Sequence, residues 1–322
     1  KEKIEGFWFK TDGEIRKTNY RALNTPEKLS TMPYQNFSED IVYVDNYSMN
    51  NLDAETYLSR QGTNYVTVWS LGCPFQCSYC GNGKFIENDS KYAKLRYPLP
   101  EYIVGEIKHV VDKYDFVSFI EIMDDNFFLI RNEDIVKFAA LYKREVGLPF
   151  NVPGIFPGTV KHEKTLDLLV DAGLRKVKMG IESGSKETLK IFNRPTTKEQ
   201  MTSTARLLIS KYPRINPPDF DVIIDIPFED GANKNETLDL LGSLDGPIIP
   251  LIYSLRTTPG TSLRRYAEEH PELGMLPLES SFRLTEDKEY ALKLYHYGLG
   301  KPSKLGKKIV ERISKNRLLL PS

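Results

Sequence analysis

Residues 65–83 read "YVTVWSLGCPFQCSYCGNG". Tyr65 to Ser70 are β-branched, aromatic and partly alternating, the pattern of a strand, and Leu71-Gly72 end it. Cys73, Cys77 and Cys80 follow at once and are all the cysteines in 322 residues. Pro74 and the strand upstream argue against a regular helix through this window. The stretch therefore predicts a strand that runs into a loop carrying three thiols, with Gly72, Gly81 and Gly83 allowing close backbone approach.

Downstream, strand and helix patterns alternate. "PEYIVGEIKHVVDKY" places Ile103, Ile107, Val110 and Val111 at helical spacing, with Pro100 in the first turn. "FVSFIEIM", "FNVPGI", "KVKMGI", "FDVIIDI" and "IIPLIYSL" read as strands. Between them "NEDIVKFAALYKREVG", "KTLDLLVDAG", "KETLKIF", "TKEQMTSTARLLISKY" and "NKNETLDLLGSL" read as helices, two of them closed by glycine. A helix from the C-terminal part behind the last strand completes six units. Such alternation implies right-handed crossovers and a parallel sheet. Six units could form an open doubly wound α/β sheet or a partly closed barrel, and the alternation is the same for both. Residues 1–60 form an irregular lead-in with strand-like "GFWFK" and "DIVYV", 61–265 the core, and 266–322 a helical extension. Ligands gather at the carboxyl ends of such strands, which is where the cysteines stand.

Composition narrows the function. The 44 basic and 44 acidic residues cancel, so no overall charge draws the chain to nucleic acid or anionic lipid. No run of about 18 apolar residues suggests a membrane span, and no leader pattern suggests secretion. Three clustered cysteines make a poor disulfide framework and point to a reducing, cytoplasmic setting. Lys1 in place of Met suggests a piece of a longer protein. There is no G-x4-G-K-[ST] loop and no G-x-G-x2-G after a strand.

Zinc would want a fourth ligand at characteristic spacing, and His109, His162, His270 and His296 all lie far along the chain from the cysteines. An iron–sulfur cubane capped by three thiolates leaves one iron open, which an electron carrier does not need and a cofactor-binding cluster does. Cys-x3-Cys-x2-Cys after the first strand, with Tyr79 before the last cysteine, resembles the signature of the radical S-adenosylmethionine (radical SAM) superfamily. That resemblance implies a [4Fe–4S] cluster on Cys73, Cys77 and Cys80, with the methionine moiety of S-adenosylmethionine chelated at the open iron. It also implies an α/β fold, a partial (βα)6 TIM-like barrel, and reductive cleavage to a 5′-deoxyadenosyl radical that abstracts hydrogen from a substrate.

The resemblance extends to other strand ends. Many members carry Gly-Gly-Glu after the second strand, facing the cofactor amine; this chain has Met123-Asp124-Asp125, so either Asp124 or Asp125 is the candidate. "MGIESGSKETLKIFNR" is similar to a segment in which a polar residue and a later Arg contact the cofactor, here Glu182 and Arg194. In "FDVIIDIPFED" the resemblance gives Asp221 the ribose, with Asp225 as competitor, and puts the backbone near Ile223 beside the adenine.

The lead-in, "GIESGS" and "TTPGTSL" are similar to cobalamin-dependent members, which carry a cobalamin-binding domain ahead of this region. "EEHPELG" has the wrong spacing for an Asp-x-His-x2-Gly motif, so cobalamin is expected only with the intact protein. An electron donor such as flavodoxin or ferredoxin is the implied partner, and the substrate is not legible. "KPSKLGKKIVERISKNR" reads as an amphipathic helix packing on the barrel or docking a partner; nucleic acid is not the expected ligand. The competing reading is a non-catalytic binding module stabilised by zinc or an iron–sulfur cluster.

Overall fold

The computed structural model describes residues 4–35, 42–45, 48–51, 58, 62–277 and 287–298. The lead-in holds two hairpins. Strand β1 (Trp8–Thr11) pairs antiparallel with β2 (Glu14–Lys17). Asp12 and Gly13 turn between them with φ of 51° and 83°, the doubly positive φ of a tight hairpin turn. After the short helix α1 (Pro26–Leu29), β3 (Val42–Asp45) pairs antiparallel with β4 (Ser48–Asn51).

The core begins at β5 (Asn64–Thr67), followed by α2 (Gly81–Asn88) and α3 (Pro100–Lys113). Then come β6 (Phe119–Ile122), α4 (Asn132–Glu145), β7 (Phe150–Ile155), α5 (Glu163–Ala172) and β8 (Leu174–Glu182). Helices α6 (Lys186–Ile191) and α7 (Lys198–Ile209) precede β9 (Asp219–Ile224). The order closes with α8 (Gly231–Gly242), β10 (Ile249–Ser254), α9 (Ser262–Glu269) and α10 (Lys288–Gly298). The six core strands form one sheet in the order β10-β9-β8-β7-β6-β5, parallel throughout. Every neighbour in the sheet is also a neighbour in sequence. There is no reversal of strand order, so the doubly wound alternative is excluded and the partial barrel stands. Helix α10 contacts α8 and β10 and closes the sixth unit. The basic tail singled out in the sequence lies outside the described residues.

One sheet face is apolar and meets the helices: Ile120, Ile122, Val152, Val177, Met179, Phe220 and Val222 are fully buried there. The other face is polar. Asn151 Nδ2 donates to Glu121 at 3.0 Å, and Lys176 pairs with Asp219 at 2.7 Å. Charged side chains on that face cannot pack as a dry core, so the concave side is left for ligands.

The helix α2 was not expected. Gly81 and Gly83 lower helix propensity, and "GNGKF" read as part of the loop. Instead Cys80 is the residue ahead of the first turn and the helix starts directly behind it. Of the three loop glycines only Gly72 is sterically required. Its φ is 100°, and a Cβ there would lie 2.5 Å from the Lys94 carbonyl oxygen and 2.8 Å from that of Tyr92. Nothing lies within 4 Å at Gly81, and Gly83 has only ordinary contact with Cys77. Gly154 supplies the close approach that the sequence reading missed: its Cβ would sit 1.8 Å from the Asp124 carbonyl oxygen.

Candidate active site

The cysteine loop is pinned from several sides. Leu71 and Arg96 exchange backbone hydrogen bonds of 2.9 and 3.0 Å. Ser78 N–H donates to the Phe192 carbonyl at 2.8 Å, and Asn193 Nδ2 donates to Gln76 O at 2.8 Å. Phe75 stacks on Phe156 with centroids 3.8 Å apart. Cys73, Cys77 and Cys80 are all free thiols, the first two buried and the third half-buried. Burial, with a smaller contribution from the charges of Asp125, Cys77 and Cys80, pushes the Cys73 thiol up to about 11. Backbone N–H groups of Phe75 and Asn82 bond to Cys73 and Cys80 and favour their thiolates. Among the described residues no group of three or more His, Cys, Asp or Glu side chains is drawn together for a single ion; a cubane presents its irons at separate corners. The donor set, three thiolates with N–H groups directed at the sulfurs, suits an iron–sulfur cluster.

Arg194 enters this loop from behind. Its Nη1 donates to Tyr79 Oη at 3.0 Å and lies 3.8 Å from Cys77 Sγ, while Nη2 donates to the Gly180 carbonyl. Nη2 also lies 3.7 Å from Glu182 Oε1, and the guanidinium sits 4.3 Å over the Phe156 ring. Gly180 makes this possible: a Cβ there would meet Glu182 Oε1 at 2.4 Å and Arg194 Nη2 at 2.9 Å. Register shifts between β8 and β9 at Gly180/Glu182, and Glu182 adopts φ of 66°. Such an irregularity re-aims a side chain, here toward Arg194 and Tyr79. Burial raises the Glu182 carboxyl above its usual range, and Arg194 opposes that shift.

Tyr79, Glu182, Asp221 and Ile223 line one cavity of about 230 Å³ with Tyr253 and Arg256. Asp221 Oδ2 lies 3.5 Å from Lys178 Nζ, but Oδ1 is enclosed without a partner, as is Arg194 Nε. Burial raises the Asp221 carboxyl, with Lys178 opposing. Asp221 Oδ1 and Arg194 Nε are both enclosed polar atoms that the chain itself leaves without a hydrogen-bond partner. Asp225 is exposed, accepts from Ser254 Oγ, and does not line the cavity.

The other acidic pair also divides. Asp124 is buried, and its Oδ1 accepts from the backbone N–H groups of Trp69 at 2.7 Å and Ser70 at 3.0 Å. Its Oδ2 accepts from Ser70 Oγ at 2.7 Å. Asp124 therefore ties the end of β6 to the segment that launches the cysteine loop, whereas Asp125 is exposed. Burial raises the Asp124 carboxyl from 3.8 to about 6, against the opposing pull of those donors. A carboxyl whose folded-state value exceeds its unfolded value stabilises the fold below roughly pH 4 and loses that contribution as pH rises through about 6. The loss is about 3 kcal/mol by neutral pH. Urea unfolding between roughly pH 4 and 7 should show this decline in the wild type and a flatter profile in Asp124→Asn; equal slopes would show that the donors hold Asp124 ionised throughout.

Sequence reading missed the support beneath Glu182. Ser183 Oγ and Thr188 Oγ1 donate to Glu229 Oε1 at 2.8 and 2.7 Å, and Gly184 N–H donates to Thr237 Oγ1 at 2.8 Å. Ser183 and Ser185 are almost fully buried. Two buried serines beside a glycine were the available signal, but they also fit a helix cap.

Residues 67–241 match the family model described as the Radical SAM superfamily. The chain is 31% identical over 159 residues to an anaerobic magnesium-protoporphyrin IX monomethyl ester cyclase of Rubrivivax gelatinosus, covering 49% of this chain and 27% of that protein. It is 32% identical over 137 residues to a cytidylyl-2-hydroxyethylphosphonate methyltransferase of Streptomyces wedmorensis, covering 41% and 23%. The chain thus spans well under two thirds of these relatives. Among solved structures, the cobalamin-dependent S-adenosylmethionine radical enzyme OxsB, with aqua-cobalamin and S-adenosylmethionine bound, aligns with 97% of this chain and 46% of its own at 17% identity and TM-score 0.65. The radical S-adenosylmethionine methyltransferase TsrM from Kitasatospora setae, with cobalamin and a [4Fe–4S] cluster bound, aligns with 83% and 49% at 20% identity and TM-score 0.59. These structural likenesses speak to the fold. No helix among the described residues is long and apolar enough to cross a membrane. The family match covers more than half of the chain, and the chain belongs to the radical SAM superfamily of enzymes.

Proposed function

We propose that this chain is the catalytic core of a radical SAM enzyme. Cys73, Cys77 and Cys80 hold a [4Fe–4S] cluster, and S-adenosylmethionine occupies the cavity lined by Tyr79, Glu182, Asp221 and Ile223. The observation that carries this reading is that Arg194 touches Cys77 Sγ on one side and, on the other, Tyr79 and Glu182, which line that cavity, with Arg194 Nε and Asp221 Oδ1 both lacking partners. When bound, the cluster and S-adenosylmethionine supply reductive cleavage and radical chemistry. The chain's own residues position them. Arg194 offers its unpartnered Nε–H and its positive charge to a carboxylate, Asp125 an acceptor to an ammonium group, and Asp221 an acceptor to a ribose hydroxyl.

Residues 61–265 are read as the core, preceded by a lead-in and followed by a helical extension. The intact protein is read as carrying cobalamin, in keeping with the solved neighbours, with a flavodoxin or ferredoxin as electron donor. Anaerobic reconstitution tests the central reading. About four irons per chain and dithionite-dependent release of 5′-deoxyadenosine or S-adenosylhomocysteine are expected, both lost when any one of Cys73, Cys77 or Cys80 is replaced by Ala. Zinc without iron, or a loaded cluster that yields neither product, would overturn it.

A further inference from the structure

We propose that a second cavity, between the lead-in and the segment 90–97, binds a small organic anion, a phosphate- or carboxylate-bearing molecule with an apolar body, through Arg96 and Lys94. The cavity has a volume of about 720 Å³ and shares no lining residue with the cofactor cavity. Leu23, Leu95 and Leu129 give it an apolar wall. Lys91, Lys94, Arg96 and Arg131 line the rest, against one acid, Glu27.

Two of these cations are already engaged. Lys91 Nζ donates to the Arg21 carbonyl at 3.0 Å and lies 3.6 Å from Asp89. Arg131 pairs with Asp134 at 2.9 Å and Glu133 at 3.1 Å. The other two form no ion pair among the described residues. The Arg96 guanidinium lies 5.3 Å over the Tyr92 ring, and its Nη1 is closed off from solvent with no acceptor. A buried donor left without an acceptor costs about 1–3 kcal/mol, and a guanidinium gains most from a carboxylate or phosphate that takes two of its N–H groups together. Lys94 is exposed and has no acidic partner among the described residues.

The position is as informative as the charge. Arg96 is the residue whose backbone bonds to Leu71, and Gly72 rests on the Lys94 and Tyr92 carbonyls. The cavity is therefore walled by the same strap that supports the cysteine loop. The site stands on its own residues, whatever the outcome of the radical SAM assay, because its test reads binding rather than turnover.

The test is calorimetric titration of the full chain with inorganic pyrophosphate and with citrate at low ionic strength. Saturable one-to-one binding is expected in the wild type. It should weaken about tenfold in Arg96→Gln and several-fold in Lys94→Met. It should be unchanged in Arg265→Gln, a surface residue that pairs with Glu87 outside the cavity. Tighter pyrophosphate binding assigns a phosphoryl ligand and tighter citrate binding a carboxylate; either supports the site. Absence of saturable binding of both probes overturns it, as does equal weakening by Arg265→Gln, which would mark diffuse charge attraction. Should Arg96→Gln fail to fold, Lys94→Met decides: being exposed, it should fold, and unchanged binding in it overturns the proposal.

Discussion

Arg194→Leu is expected to lose detectable S-adenosylmethionine cleavage and to cost about 3–5 kcal/mol of folding stability. The side chain is 5% exposed, so its charge is held by the protein and not by water. Removing it strands three acceptors at once: the Gly180 carbonyl, Tyr79 Oη and the Glu182 carboxylate. Glu182 is the costly one, since burial already raises its pKa and Arg194 is the main opposing influence. Without the guanidinium the carboxyl must either stay charged with only the Tyr79 hydrogen bond and the charge of Lys178 to offset its burial, or take up a proton. Arg194→Leu combined with Glu182→Gln should therefore recover most of the stability and none of the cleavage. Arg194→Lys separates charge from shape. An ammonium group can neutralise Glu182 but cannot reach Gly180 O and Tyr79 Oη with a rigid fork. Near wild-type stability with a loss of about a hundredfold in cleavage is the expected result, the scale that misplaced reacting groups bring. Urea midpoints and 5′-deoxyadenosine release measure the two quantities separately. Cleavage at the wild-type rate in the Leu variant would remove Arg194 from the site.

The fold was legible because each strand of the core is a short β-branched run closed by turn residues, and each is followed by a helix of period 3.6. "FDVIIDI" became β9 and "KVKMGI" the heart of β8 almost residue for residue. Sequential parallel pairing could not be read from those runs, since an open doubly wound sheet uses the same alternation. The strand-end residues were legible as candidates, but not their geometry. Asp124 and Asp125 are chemically identical neighbours; only the approach of Trp69 and Ser70, 55 and 54 residues away, turns one of them inward. Asp221 and Asp225 differ for the same kind of reason. One lies on the strand and faces the cavity, while the other, at φ of 56°, has left the strand. Helix α2 was hidden because two glycines among its eight residues lower its helix propensity, whereas tertiary context decides the outcome.

Glu229→Leu is expected to weaken S-adenosylmethionine binding about tenfold or more while leaving iron content unchanged. Glu229 does not line the cavity formed by Tyr79, Glu182 and Asp221. It acts through the loop that carries Glu182. Glu182 at φ of 66° occupies a backbone region that costs a non-glycine residue about 1–3 kcal/mol when strained, so something must hold it there. Glu229 Oε1 takes both the Ser183 and Thr188 hydroxyls, and Ser183 Oγ in turn accepts from Ser185 N–H at 3.1 Å. Gly184 lies against α8, where an added Cβ would come within 2.6 Å of Thr237 Cα. Asn233 Nδ2 clamps Ser185 Oγ at 2.8 Å. With leucine at 229 two buried hydroxyls lose their acceptor, about 1–3 kcal/mol each, enough to let the loop relax and carry Glu182 away from Arg194. Glutamine keeps the Oε1 acceptor. Burial already raises the Glu229 carboxyl, so a neutral side chain suits the site and Glu229→Gln should bind S-adenosylmethionine nearly as the wild type does. The change that added S-adenosylmethionine makes in the electron paramagnetic resonance spectrum of the reduced cluster gives the affinity, and iron analysis gives the loading. A general loss of structure would lower both together and would not be rescued by glutamine. Unchanged affinity in Glu229→Leu would mean that the left-handed turn at Glu182 is held by Gly184 and α8 alone.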